Sequence, residues 1–198
     1  MTTNTTLTRL QQLLPELFQP LVVTGDLYLR FQLTPEIPAL LPMARVQEAL
    51  LVPATAISPL PNLPAFMIGM MNARDRVFWV VDLGQLLGLP QILTNPRDYQ
   101  VVVMQLAATE PESFAERLQG RIDPAGSSNE PSLGLAVSRV RGVARFEPQH
   151  LQLSVADVPA CLQPHLLGCF IEADKQILVF NPATIATAPT RFEQLPTD

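Results

Sequence analysis

Apolar and polar positions alternate with a period of two over residues 27–33, where Leu27, Leu29, Phe31 and Leu33 are interleaved with Tyr28, Arg30 and Gln32. That pattern predicts a half-buried strand. A second strand is expected over 44–52, with Val46, Glu48, Leu50 and Val52 on one face and Pro53 closing it. Two apolar runs, 66–71 and 77–81, flank a turn at 73–76 that carries Arg74, Asp75 and Arg76. They read as a hairpin with a charged tip. Residues 99–106 form a continuous apolar strand, 133–148 two more strands with a bend at Gly142, and 166–180 a hairpin turning at 173–175. Helical spacing is confined to short pieces. Leu10, Leu13, Leu14, Leu17 and Phe18 follow a capping box at Thr8 and Gln11, and Pro15 bends or ends that helix. Asp82 caps a short helix that stops at Gly88, and Asn181–Pro182 opens another. Pro35, Pro38 and Pro42 break the chain, and 58–64 is a proline-stiffened connector. Many short strands with turns about every 8–12 residues predict a mainly β chain, as small barrels or a sandwich.

Composition sharpens this picture. Of the 198 residues, 47% are apolar and only 16% charged, against a usual charged share of about 25%. Enough apolar matter is present for a substantial core, and the shortage of charge suggests surface kept for a partner. A net charge of −5 argues against nucleic acid, which demands a basic patch. No apolar run reaches the roughly 18 residues of a membrane helix, so no membrane insertion is expected. The start of the chain lacks a basic region followed by an apolar one, and no signal peptide is expected. The stretch 107–132 is rich in acidic, Ser, Asn, Pro and Gly residues and reads as a long, mobile surface loop.

Catalytic chemistry has little to work with. Glycine-rich phosphate loops, paired zinc-binding histidines and a nucleophile elbow are all missing from the sequence. Cys161 and Cys169 are too few for a disulfide framework or a four-ligand zinc site, and read as buried thiols in a reducing cytoplasm. Cys161 lies four residues before His165; a helix would align them as a nucleophile and base, but a core Cys beside a surface His explains both. The expectation is a protein without catalysis, metal or cofactor.

The run "RVQEALLVPATAISPLPNLPAFMIGMMNARDRVFWVVDLGQLLGL" resembles the CheW-like adaptor family of bacterial chemosensory systems. The family's pattern is a Val-x-Glu strand, a Pro-Asn-x-Pro connector, an apolar strand with Gly and a terminal Asn, an Arg-bearing turn and a strand ending in Asp-Leu. These are met at Val46–Glu48, 61–64, Ile68–Asn72, Arg74 and 80–83. "LGLAVSRVRGV" and "LLGCFIEADKQILVFNPATI" fit the second half more loosely. The resemblance spans roughly 27–185, leaving 1–26 as a helical extension and 186–198 as a tail. It implies two SH3-like, five-stranded barrels around a shared apolar core. It also implies a scaffold that couples the cytoplasmic tip of a methyl-accepting-type receptor to the regulatory domain of a CheA-like histidine kinase, in the cytoplasm at receptor arrays.

Carried over residue by residue, the partner-binding positions are Val46, Glu48, Gly69, Asn72, Arg74 and Asp75, with Gly69 acting indirectly through close strand approach. Asp75 stands where the family usually has Gly, Trp79 where it often has Pro, and Ser138 where it often has Asp. The 107–132 loop is longer than usual. "LQQLLPELFQPL" and "YLRFQLTPE" look like the variety attached to type IV pilus motility or phototaxis. Two rival readings differ in kind. A kinase regulatory fragment is disfavoured by the short chain and the lack of an ATP motif. A small-ligand barrel would need a concave apolar pocket.

Overall fold

The computed structural model describes residues 24–74, 76–91, 93, 96–106 and 132–188. The expected N-terminal helix, the 107–131 part of the long loop, Asp75 and most of the C-terminal tail lie outside the described residues. Ten strands follow in order: β1 (Asp26–Gln32), β2 (Pro38–Pro42), β3 (Val46–Pro53), β4 (Met67–Ala73), β5 (Arg76–Asp82), β6 (Asp98–Gln105), β7 (Ser132–Val137), β8 (Arg139–Phe146), β9 (Leu166–Glu172) and β10 (Lys175–Phe180). Two short helices, α1 (Leu83–Leu86) and α2 (Pro182–Ala186), follow β5 and β10.

The strands form two five-stranded sheets, β3-β6-β7-β5-β4 and β8-β1-β2-β10-β9, each curled into an SH3-like barrel. Barrel one is built from one continuous part of the chain. Barrel two joins the first two strands to the last three. Alternation along each strand feeds two apolar regions at once. Inside barrel one lie Val52, Ile57, Met71, Phe78, Val80, Val101, Val103 and Ala136. Inside barrel two lie Tyr28, Leu40, Phe170, Ile177 and Val179. The opposite faces, carrying Leu29, Phe31, Leu41, Trp79, Val102, Met104, Leu135 and Phe180 among others, meet in one core shared between the barrels.

The two barrels are the same structure twice. Strand for strand, β3-β6-β7-β5-β4 corresponds to β8-β1-β2-β10-β9. The single parallel pair falls at the same place, β5 with β7 and β10 with β2. A bulge sits at Gln47 on β3 and at Arg141 on β8. An isolated bridge joins Ser58 to Met70 and Gln152 to Cys169. Asp82 caps α1 by accepting from Gln85 N at 3.1 Å, and Asn181 caps α2 by accepting from Ala183 N at 3.0 Å. The registers make Arg30 the counterpart of Val103, Arg141 of Gln47, Glu172 of Ala73, Ala173 of Arg74 and Lys175 of Arg76.

Three expectations are corrected. Proline at 38 and 42 does not break the chain but brackets β2, which pairs with β1 and β10; proline is tolerated at the ends of a strand, where a missing N–H costs no ladder bond. The break between β7 and β8 is at Ser138, whereas Gly142 lies within β8 beside its bulge. Val46 and Glu48 do not share a face, because the extra residue Gln47 reverses the alternation between them. Val46 leans on the shared core, while Leu50 and Val52 turn to the barrel interior.

The duplicated bridges depend on glycine. Gly69 has φ +153° and Gly168 φ +149°, and an added Cβ would lie 2.3 Å from Ser58 O and 2.3 Å from Gln152 O respectively. Backbone, not a movable side chain, blocks both. Gly69→Ala and Gly168→Ala should each lower unfolding free energy by about 3 kcal/mol, measured by denaturant titration. A loss below about 1 kcal/mol at either position would show that the strand crossing can relax.

Candidate partner-binding site

The β4–β5 hairpin closes on a two-residue turn, since Ala73 pairs with Arg76. Arg74 is left-handed at φ 48°, as are Ala173 and Asp174 at φ 47° and φ 60° in the matching turn of barrel two. Such turns match the right-handed twist of the strands they join. The unusual backbone of Arg74 is therefore a demand of the hairpin, met by non-glycine residues in both barrels.

The side chains divide the three charged tip residues. Arg74 is 80% exposed, and its Nε lies 3.3 Å from Glu48 Oε2 on β3, whose side chain is 21% exposed. Glu48 Oε2 is shielded from water and receives no hydrogen bond, so the contact is an ion pair without hydrogen-bond geometry. Arg76 instead donates to Gln47 Oε1 at 3.1 Å, and the same oxygen accepts from Ser132 Oγ at 3.1 Å. One arginine is tied into the barrel wall, and the other reaches from solvent to a part-shielded carboxylate. Gln47 is a residue the sequence reading missed; nothing in the alternation around it signals the bulge that aims it at Arg76.

The hairpin and β3 thus bring Glu48 and Arg74 into contact, with Val46 half-buried just before the bulge. Asn72 is exposed opposite the exposed Val77 and has no side-chain hydrogen bond to a described residue. Gly69 is buried at the strand crossing, against the Ser58 backbone. Asp75 lies outside the described residues.

Other chemistry does not assemble. Cys161 and His165 share no helix, because only a 3₁₀ turn at Gln163–His165 forms, and no hydrogen bond joins them. Cys169 is buried, and burial pushes its thiol pKa up, away from the reactive thiolate. Among the described residues no group of three His, Cys, Asp or Glu side chains is placed to hold a metal. Buried apolar side chains lie inside both barrels.

The fold defines a protein of two SH3-like, five-stranded barrels with an exposed charged hairpin tip on one of them. The description of the CheW-like domain matches residues 27–189. The chain belongs to the CheW-like family. A similar solved structure is the scaffolding protein TtCheW from Thermoanaerobacter tengcongensis, with a TM-score of 0.60 at 17% identity over 82% of this chain and 92% of that one. Comparison with curated proteins gave no significant match.

His165 offers a test of the packing around α2. It is buried, its Nδ1 has no partner, and burial lowers its pKa from the usual 6.5, offset in part by a hydrogen bond with the Thr184 backbone. The folded state therefore favours neutral imidazole, while the unfolded chain takes up the proton more readily. Stability is present above the unfolded pKa and falls as pH drops below it. Between about pH 7.5 and about pH 5 the native protein should lose more stability than His165→Gln, read from denaturation midpoints. Parallel losses would mean that the imidazole titrates alike in both states.

Proposed function

We propose that this protein is a non-catalytic adaptor that couples a receptor's cytoplasmic tip to a CheA-like histidine kinase, with the β4–β5 hairpin and the start of β3 as the receptor contact. The observation that carries this reading is the Arg74–Glu48 arrangement. A guanidinium that is 80% exposed and touches the fold through one part-shielded carboxylate leaves most of its donors free for a partner. Arg is also enriched where interfaces concentrate their binding energy. Val46 and Asn72 would flank the contact, Asp75 would share its tip, and Gly69 would fix the crossing behind it. The kinase contact would use barrel surface away from the hairpin, meeting a regulatory domain of the same fold. The N-terminal sequence supports the pilus or phototaxis variety of these systems. Among the described residues no helix is long and apolar enough to cross a membrane, and cytoplasmic placement at receptor arrays belongs to the same proposal.

Titration of a purified receptor tip fragment tests the contact. Arg74→Ala should weaken binding by about 2 kcal/mol, roughly thirtyfold, while changing unfolding free energy by less than about 0.5 kcal/mol. Arg74→Lys should recover only part, because an ammonium lacks the planar fork. Arg76→Ala removes the same charge from the tethered neighbour and should cost much less. Equal, small losses for Arg74→Ala and Arg76→Ala would reduce the tip to general electrostatics. Kinase binding should survive both changes.

Self-association gives a second check. Alone, the protein should sediment as a monomer or weak dimer and form a stable complex only with the kinase. A tight dimer independent of concentration would indicate an obligate oligomer instead.

A further inference from the structure

The duplication makes each barrel a control for the other. At the mouth of barrel one, Val103 on β6 and Ala73 on β4 belong to the interior core or pack against it. Their counterparts in barrel two are Arg30 on β1 and Glu172 on β9, whose side chains meet at 2.6 Å while remaining 32% and 47% exposed. An open cleft of about 780 Å³ lies at this mouth. Ile177 and Phe31 line its apolar part, Pro35 and Pro38 contribute a stiff wall, and Glu36, Arg141 and Lys175 complete the charged lining with the Arg30–Glu172 pair. Arg141, the bulge residue of β8, donates to Gln32 Oε1 at 2.8 Å. Lys175 makes no ion pair with a described residue. Three cations and two carboxylates thus face one opening, on a chain whose net charge is −5.

Folding does not account for these charges. A solvent-screened ion pair adds little to stability, and barrel one shows that Val and Ala serve at the same positions. We propose that the mouth of barrel two is a docking site for an acidic peptide segment of a partner protein, whose carboxylate replaces Glu172 on Arg30. Arg141 and Lys175 would supply the rest of the positive rim. Glu172 is then a placeholder that keeps the guanidinium extended when the site is empty, and it leaves easily because water already screens it. The guanidinium fork suits a carboxylate, and the proline wall is ordered before the peptide arrives. The open, charged lining suits a peptide side chain better than a small apolar ligand, which would need enclosure. This site is on the other barrel from the receptor hairpin and stands or falls separately.

The test uses the full chain, ¹⁵N-labelled, with a blocked peptide Gly-Glu-Leu-Glu-Glu-Leu-Gly and its counterpart with every Glu replaced by Gln. The acidic peptide should shift the amide resonances of Arg30, Arg141 and Lys175, and the Gln peptide should not. Glu172→Gln should tighten the acidic peptide about fivefold or more by removing the internal competitor. Asp174→Asn makes the same charge change at the adjacent turn and should leave affinity within about twofold. Arg30→Val with Glu172→Ala copies barrel one's mouth and should abolish the response while the fold persists. Lack of response in both the native protein and Glu172→Gln overturns the proposal, as does an undiminished response in the double variant. Free glutarate acting as strongly as the peptide would also overturn it, by assigning the mouth to small organic acids.

Discussion

Everything in this molecule depends on the apolar contact between the two barrels. Each barrel has only a modest interior, with five buried residues in barrel two and eight in barrel one among the described residues. Neither resembles the core of a self-sufficient domain, and small domains bury too little surface to be robust alone. The shared core draws on the outer faces of strands from both barrels, so Leu29, Phe31 and Met104 are buried as the interior residues are. A strand whose two faces are both covered reads as a continuous apolar run, as residues 101–104 do. The scarcity of charge follows from the same geometry, because fewer strand faces are left to meet water.

Duplication then divides the labour. The scaffold parts repeat closely: bulge, bridge, crossing glycine, capped helix. The ends of the barrels do not. At one hairpin tip stands Arg74, at the other Ala173; at one mouth Val103 and Ala73, at the other Arg30 and Glu172. Where two copies of one framework differ, the framework itself cannot be the reason for the difference. That contrast separates residues that hold the fold from residues that face outward for another purpose, and it does so within a single chain.

Much of the fold was legible because local patterning and tertiary structure agree. Alternation at 27–33, the two-residue turns at 74 and 173–174, and the caps at Asp82 and Asn181 all act over a few residues, and all are where the pattern places them. What escaped was long-range or register-dependent. The β2 strand is hidden between prolines, and only its partners β1 and β10 make it a strand. The Gln47 bulge is one residue wide and reverses the facing of Val46 relative to Glu48. The separation of Arg74 from Arg76 rests on Gln47 and Ser132, residues remote from both arginines along the chain. The pairing of Arg30 with Glu172 is equally remote, so no window of sequence could show a charged mouth on one barrel and a closed one on the other.

The interleaved order of the strands also bears on how the chain is made. All five strands of barrel one are available once β7 has left the ribosome, whereas β1 and β2 emerge first and wait for β8, β9 and β10. Gly25 and Arg145, hydrogen-bonded at the edge of barrel two, are 120 positions apart. Closing such a loop is a late and slow event compared with local hairpins, and until then two strands rich in Leu and Phe have unpaired edges. Nascent chains in that condition are the ones that aggregate or pair with a neighbour. Synthesis of this protein therefore passes through a stage in which all five strands of barrel one have emerged and the N-terminal strands still lack their partners.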